Sequence, residues 1–188
     1  MQVFATRKEM MRHFIIPESV VVEIGVWRGE FSEYLVSLNP AKLHLIDPWK
    51  GVVPSGDVDG NFVSYADLDS EYLRMVDRYR TNDKVVLHRA FSGEAIATFQ
   101  DASIDIAYID GDHSYDGVLR DLEALLPKMK KNGIICGHDY EMNLEKAHTV
   151  YNFGVKRAVD EWCSKHGLTL CAKALDGCVS FAIKLNSR

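Results

Sequence analysis

The stretch that decides the fold is VVVEIGVWRGEFS, residues 20–32. Residues 20–24 form a run of β-branched side chains interrupted by one acid, which is typical of a central parallel strand buried on both faces. Gly25 and Gly29 then bracket a turn in which the backbone bends freely and a ligand can come close. We expect an amphipathic helix over residues 30–38. This order of strand, turn and helix predicts a crevice for a nucleotide-like ligand at the carboxyl end of the strand.

The turn itself argues against a pyrophosphate ligand. A dinucleotide-binding turn has the pattern G-x-G-x-x-G, so that backbone amides and a helix N-terminus reach the phosphates. Here Trp27 stands in place of the second glycine, and its indole would obstruct a pyrophosphate. Glu23 places a carboxylate just before the turn, which suits a ligand with a cationic amino group. For this stretch alone, an ordinary turn in another kind of α/β protein is the alternative.

Length and composition set the broad class. The 188 residues are 47% hydrophobic and 26% charged, which is ordinary for a soluble globular protein, and we expect one domain over residues 1–188. A net charge of −5 gives no electrostatic case for a nucleic-acid or membrane partner. The N-terminus lacks the apolar segment of a signal peptide, and the four cysteines form no C-x-x-C pair. These features predict a reduced protein in the cytoplasm.

Strand and helix patterns alternate along the rest of the chain. They predict a doubly wound, mostly parallel, Rossmann-like α/β sheet of about seven strands, closed by a C-terminal antiparallel hairpin around Asp176-Gly177. The expected strands after the first cover residues 42–47, 84–89, 103–109, 134–137, 168–174 and 179–185. The expected helices cover residues 6–15, 30–38, 65–80, 92–99, 115–130 and 153–166. Two segments, 50–64 and 141–152, are expected to be loops that shape a substrate pocket.

Asp47 ends the strand at residues 42–47 and lies 24 residues after Glu23. An acid at this place can bind both ribose hydroxyls of a nucleoside, whether it belongs to NAD or to another cofactor. Trp49 is predicted to pack either on an adenine or in the core. The next strand end offers Ala90, Phe91 and Ser92 as adenine contacts, although Ser92 is equally suited to be a helix cap.

A second group of polar residues follows two later strands. Asp110, Asp112 and His113 come after the strand at 103–109, and His138 and Asp139 come after the strand at 134–137. Because the carboxyl ends of parallel strands meet at one edge of a sheet, we expect these residues in the same crevice as the glycine turn.

The segment YIDGDHSYDGVLRDLEALLPKMKKNGIICGHDY, residues 108–140, together with residues 21–32 and 45–49, resembles the class I S-adenosylmethionine (SAM)-dependent methyltransferases. It is most similar to the branch related to macrocin-type O-methyltransferases and cephalosporin hydroxylases, over roughly residues 18–185. Trp27-Arg28 departs from the small residues often found between the glycines of this motif. The resemblance implies SAM as cofactor, with its methionine end at Glu23 and Gly25. The full set of implied contacts is Glu23, Gly25, Val26, Trp27, Gly29, Asp47, Pro48, Trp49, Ala90, Phe91, Ser92 and Asp110.

Two mechanisms are open on the acceptor side. In one, Asp110, His138 and Asp139 hold a divalent cation, Mg²⁺ or Mn²⁺, that lowers the pKa of an acceptor hydroxyl. In the other, His113 or His138 is the general base, with Asp110 assisting. Structural roles compete with both: Asp110 could hold the SAM amino group, Asp112 could cap the next helix, and His113 could be a hydrogen-bonded loop residue.

The sequence therefore predicts a SAM-dependent enzyme that methylates a hydroxyl of a small molecule such as a sugar, a diol or a natural product. No nucleic-acid or membrane partner is expected, and a homo-oligomer is left open. The alternatives are a nicotinamide-dependent oxidoreductase, which the turn disfavours, and a SAM-binding module without chemistry.

Overall fold

The computed structural model describes residues 1–50, 65–141 and 154–186. Within them the strands are β1 (Gln2–Phe4), β2 (Val20–Ile24), β3 (Lys42–Asp47), β4 (Val85–Arg89), β5 (Ile104–Ile109), β6 (Met129–Glu141), β7 (Leu170–Ala174) and β8 (Val179–Lys184). The helices are α1 (Arg7–Phe14), α2 (Glu30–Ser37), α3 (Tyr65–Tyr79), α4 (Ser92–Ala97), α5 (Tyr115–Leu125) and α6 (Val155–His166). The predicted pocket loops lie outside the described residues, except at their ends.

The strands form one sheet in the order β1-β7-β8-β6-β5-β2-β3-β4. Strand β8 runs antiparallel to β6 and β7, and the other neighbouring pairs are parallel. The predicted doubly wound sheet and its closing hairpin are therefore confirmed. The extra strand is β1, which pairs with β7 at the sheet edge. Three residues are too short to show an alternating pattern, so the sequence alone does not reveal this strand.

Helices cover both faces of the sheet, and this explains the uninterrupted apolar runs of the central strands. In β2, Val21 packs on the face covered by α1, α2 and α3, whereas Val22 packs on the opposite face with α4, α5 and α6. Both valines are fully buried. Burying a side chain of this size contributes about 1.5–3 kcal/mol, so these alternating layers fix the register of β2 against its neighbours.

Helix α5 ends at Leu125, earlier than the apolar pattern predicts, because Pro127 follows its C-cap residue Leu126 and proline has no backbone N–H with which to continue the hydrogen bonds of the helix. The residues from Met129 onward join β6, and Met129 pairs with Ile104 of β5. The predicted strand at 134–137 is thus the middle of a longer one. None of the helices in the described part of the chain has the length and apolar content needed to cross a lipid bilayer.

Candidate active site at the carboxyl ends of the strands

The turn after β2 is shaped by the close approach of β5. Gly25 has a φ of +86°, and a Cβ placed on it would lie 2.1 Å from the carbonyl oxygen of Asp110. A backbone hydrogen bond fixes this approach, because the Asp110 amide donates to the carbonyl of Ile24 at 2.7 Å. On the other side, the Gly25 amide donates to the carbonyl of Ile46 in β3 at 2.9 Å. Glycine is required here by both its backbone conformation and the space available. Gly29 then caps α2 with a φ of +75°.

The carboxylate of Asp47 holds this turn together. Its Oδ2 accepts hydrogen bonds from the amides of Val26 and Trp27, both at 2.9 Å, and its Oδ1 accepts one from the amide of Trp49 at 2.7 Å. A carboxylate offers about four acceptor positions, so three are occupied by the protein's own backbone. The predicted contact with a ribose would therefore share this carboxylate with the turn, and it stays a prediction.

The two tryptophans beside Asp47 have different environments. Trp49 is 1% exposed and packs against Tyr72 with ring centroids 5.2 Å apart, which favours the core role of the two that were open. Its Nε1 donates to the carbonyl of Trp27 at 2.9 Å. Trp27 is 49% exposed and has a φ of +49°, an uncommon conformation for a residue with a side chain. Its indole is therefore presented at the surface of the turn, and Pro48 lies partly buried between the two anchored residues.

Glu23 lies beneath the turn rather than on its surface. Its side chain is 2% exposed, and its Oε2 accepts a hydrogen bond from Ser32 Oγ at 2.5 Å. Burial raises the pKa of Glu23 to about 8, and the hydrogen bond from Ser32 only partly opposes this effect. The carboxyl therefore contributes little negative charge to the crevice at neutral pH. Its predicted contact with the methionine end of a cofactor is untested.

The predicted adenine contacts lie where α4 begins. The N-cap of this helix is Phe91 and not Ser92, so the predicted cap was wrong by one residue. Ser92 Oγ instead donates to Asp121 of α5 at 2.5 Å, which ties the two helices together. Phe91 is half exposed and Ala90 partly buried. An adenine contact by these residues stays a prediction.

The structure brings two polar residues of the loop after β5, Asp110 and His113, together with two of β6, His138 and Asp139. His113 Nε2 lies 2.9 Å from Asp139 Oδ2 and 3.4 Å from Asp110 Oδ1. His138 Nδ1 lies 3.1 Å from the same oxygen of Asp139 and 3.7 Å from Asp110 Oδ1. One donor atom each from Asp110, His113 and Asp139 lies within 4.8 Å of the others, a spacing that could hold a metal ion. The predicted proximity of these residues is thus observed.

The electrostatics of this cluster follow from its two imidazoles and two carboxylates. Burial alone would raise the pKa of Asp139, but hydrogen bonds from His113 and His138 outweigh it and hold that pKa well below its usual range. Burial opposes the charged form of His113, yet its bonds to Asp110 and Asp139 raise the pKa of the imidazole to about 9. At neutral pH and without a bound cation, the His113 imidazole is therefore protonated and positively charged, and its Nε2 faces the carboxylates of Asp110 and Asp139.

Asp112 lies at the edge of this group. Its Oδ1 accepts a hydrogen bond from the Ser114 amide at 2.9 Å, and its Oδ2 lies 3.2 Å from Arg120. The N-cap of α5 is Ser114, whose Oγ accepts from the Gly117 amide at 3.1 Å. Asp112 thus supports the start of the helix without being its cap.

The site also contains a charged residue that the sequence did not predict. Arg7, at the start of α1, places its Nη1 3.3 Å from Asp110 Oδ2. Its guanidinium also lies 4.6 Å from the centroid of the Phe31 ring. Arg7 and Asp110 are 103 positions apart, and an arginine at the start of a short helix has no local pattern that signals such a contact. Only the docking of α1 onto the sheet reveals it.

Comparisons with known proteins agree with this architecture. A family model described as a methyltransferase domain matches residues 22–140, more than half of the chain. A segment of 57 residues is 33% identical to an uncharacterized protein of Sinorhizobium fredii; it is 30% of this chain and only 6% of that protein.

Among solved structures, a Corynebacterium glutamicum protein superposes with a TM-score of 0.66 at 10% identity, over 96% of this chain and 81% of its own. The O-methyltransferase NovP superposes with a TM-score of 0.64 at 19% identity, over 97% and 80% of the two chains. A Burkholderia thailandensis 1,6-didemethyltoxoflavin-N1-methyltransferase with bound S-adenosylhomocysteine (SAH) gives a TM-score of 0.63 at 14% identity, over 96% and 76%. At these identities the likeness concerns the fold.

Proposed function

The chain belongs to the class I SAM-dependent methyltransferase family, and we propose that it methylates a hydroxyl group of a small molecule with the help of a divalent cation. The observation that carries the proposal is the convergence of Asp110, His113 and Asp139 at the carboxyl ends of β5 and β6. Hydroxyl acceptors need to lose a proton during methyl transfer, and a cation held by these residues would make that proton easier to remove. NovP, an O-methyltransferase, shares the fold.

The donor set fits a cation such as Mn²⁺ or Mg²⁺. Two carboxylates and an imidazole offer oxygen and nitrogen ligands, and the imidazole favours Mn²⁺ over Mg²⁺. The ligands expected from the sequence are Asp110, His138 and Asp139. The spacing of donor atoms favours His113 as the third ligand beside Asp110 and Asp139, whereas His138 Nδ1 lies 3.7 Å from Asp110 Oδ1. A bound cation would lower the pKa of the acceptor hydroxyl and orient it.

The reaction forms a C–O bond to the methyl carbon of SAM and breaks its C–S bond, whose electrons remain on sulfur as SAH leaves. The hydroxyl proton needs an acceptor on the protein or in water. His113 already holds a proton at neutral pH because its pKa is raised to about 9. His138 directs Nδ1 to Asp139, which orients the ring and leaves Nε2 on the opposite edge. We therefore favour His138 as the base when no cation is bound.

Calorimetry tests the cofactor first. SAH should bind the protein in the micromolar range while NADH should not, and the reverse result would restore the oxidoreductase alternative. Mn²⁺ is then titrated into the SAH complex of the wild type, Asp139→Asn and Asp101→Asn. The last is a control, because exposed Asp101 pairs with Lys128 before the amino end of β5. Loss of Mn²⁺ binding in Asp139→Asn alone supports the site; equal binding in all three proteins contradicts it.

Turnover tests the acceptor class. Release of SAH is followed with a panel of sugars, diols and phenolic compounds, and in parallel with matched amines. Methylation of hydroxyl compounds that falls with a chelator supports the proposal in full. Methylation of hydroxyl compounds that ignores the chelator and is lost in His138→Gln favours the cation-free mechanism. Turnover of amines alone would overturn O-methylation.

A further inference from the structure

The position of Arg7 is fixed from two sides. Thr6 caps α1 by accepting a hydrogen bond from the Glu9 amide at 3.1 Å, and the Arg7 amide donates to Asp176 Oδ2 at 2.9 Å. Asp176 lies between β7 and β8, so the start of α1 is fastened to the closing hairpin. The Arg7 side chain therefore extends toward the crevice from an anchored backbone.

The contacts of the Arg7 guanidinium hold it in place but do not occupy all of its N–H donors. It lies over the ring of Phe31, and Nη1 is 3.3 Å from Asp110 Oδ2. A guanidinium has five N–H donors in a planar fork, and the Arg7 side chain is 29% exposed. Donors thus remain for a ligand that enters the crevice.

The Arg7 guanidinium lies beside the glycine turn, residues 25–29. Phe31 is the second residue of α2, the helix that begins at the end of the turn. The backbone of Asp110 touches Gly25 at the other end of the same turn. Arg7 is therefore next to the place where the resemblance puts the methionine portion of SAM.

The charged groups beside the glycine turn are one positive and one negative side chain in contact. Glu23 is buried and mostly protonated at neutral pH, whereas Arg7 and Asp110 present a positive and a negative group side by side. The methionine portion of SAM and SAH carries a carboxylate and an ammonium group on one carbon. Such a zwitterion matches a neighbouring guanidinium and carboxylate in opposite charge.

We propose that Arg7 binds the carboxylate of the methionine portion of SAM, and that Phe31 and Asp110 position its guanidinium for this contact. The inference rests on the proposed cofactor, but it needs no metal. The two oxygens of Asp110 face different partners: Oδ2 faces Arg7, while Oδ1 faces His113 and His138. One carboxylate can therefore serve the cofactor side and the acceptor side together.

Arg28 is the second arginine near the glycine turn, and it therefore serves as the matched control. It lies within the turn, but its guanidinium is over the exposed ring of Trp27 at 4.6 Å and its Nε is 3.5 Å from Glu71. These contacts direct it toward α3, on which Glu71 lies, rather than toward Asp110.

The test is a thermodynamic cycle between residue and ligand. Calorimetry compares SAH with S-adenosyl-3-thiopropylamine, which lacks only the carboxylate, on the wild type, Arg7→Met, Arg7→Lys and Arg28→Met. Arg7→Met should weaken SAH binding about 10- to 100-fold, the range expected for a lost charge-assisted contact, while changing binding of the analogue much less. Arg7→Lys should lose less, and Arg28→Met should leave the ratio of the two affinities unchanged.

The outcomes separate this inference from the proposed function. Wild type that fails to bind SAH overturns the cofactor assignment and the inference with it. Wild type that binds SAH while Arg7→Met weakens both ligands equally, or neither, overturns the role of Arg7 alone. If Arg7→Met does not fold, the comparison of wild type with Arg7→Lys decides: an unchanged ratio of the two affinities refutes the contact, and a smaller ratio in the lysine variant supports it.

Discussion

Replacing Gly25 by alanine should destabilise the protein far more than the same change at Gly167 or Gly93, where an added Cβ meets open space. The left-handed conformation at a φ of +86° costs a residue with a side chain about 1–2 kcal/mol. The new Cβ would also lie 2.1 Å from the Asp110 carbonyl oxygen and 2.7 Å from the Gly111 Cα. These are backbone atoms of an interior strand end, so they cannot rotate away, and overpacking of this kind costs about 1–3 kcal/mol.

Two other glycines separate these effects. Gly167 has a φ of +64° with no atom within 4 Å of its added Cβ, so its alanine variant should show the conformational cost alone, about 1–2 kcal/mol. Gly93 lies in α4 with open space and no unusual φ, so alanine there should be neutral or stabilising by up to about 1 kcal/mol. Gly25→Ala should lower the free energy of unfolding by about 2–5 kcal/mol.

Urea unfolding followed by circular dichroism measures all three variants, and SAH titration follows the site in each. We expect stability in the order Gly93→Ala, Gly167→Ala, Gly25→Ala, with SAH binding impaired only in the last. A Gly25→Ala protein as stable as Gly167→Ala would show that the ends of β2 and β5 separate at little cost. That result would refute the argument that their close approach shapes the turn.

Three further predictions concern ionisable side chains. Because burial raises the pKa of Glu23 from 4.5 to about 8, the folded state keeps a proton that the unfolded state releases between these pH values. The wild type should therefore lose stability relative to Glu23→Gln as pH rises from 4.5 to about 8. If the urea midpoints of the two proteins instead change with pH in parallel, the buried carboxyl is ionised in the folded state. His44 Nδ1 lies 2.9 Å from His88 Nε2, and burial lowers the pKa of both, that of His44 from 6.5 to about 4. The unfolded state therefore binds more protons, and stability should fall as pH drops below 6.5 in wild type but less in a His44→Gln/His88→Gln variant, as measured by unfolding at several pH values. Asp47→Asn should lower the free energy of unfolding by about 1–3 kcal/mol, because one of its two acceptor oxygens becomes an amide donor facing a backbone N–H; unchanged urea midpoints would contradict the holding role of this carboxylate.

The order of elements could be predicted because it depends on local patterns. The β-branched run of β2 is buried on both faces, and the apolar spacing of α5 faces the core as expected. Errors arose where a local signal was weak or was overridden. Strand β1 is too short to show periodicity, and Pro127 ends a helix whose apolar spacing continues beyond it.

The sequence predicted where the candidate site lies, but not which atoms of its residues contact each other. Asp110, His113, His138 and Asp139 were predicted to meet, because the ends of parallel strands share one edge of a sheet. Which nitrogen faces which oxygen depends on rotamers and on the left-handed backbone of Asp139, with a φ of +56°. The same limit explains why three amides on the carboxylate of Asp47 were not foreseen.

The sequence by itself determined the strands, the helices, the glycine turn and the edge of the sheet where polar residues collect, because these follow from side-chain periodicity and backbone freedom over a few residues. Only the tertiary structure decided that Glu23 is buried, that Trp49 belongs to the core, and that Arg7 stands beside Asp110. Charge state and ligand contact depend on solvent exclusion and on distances between segments far apart in the chain. Those distances exist only once the helices have packed against the sheet.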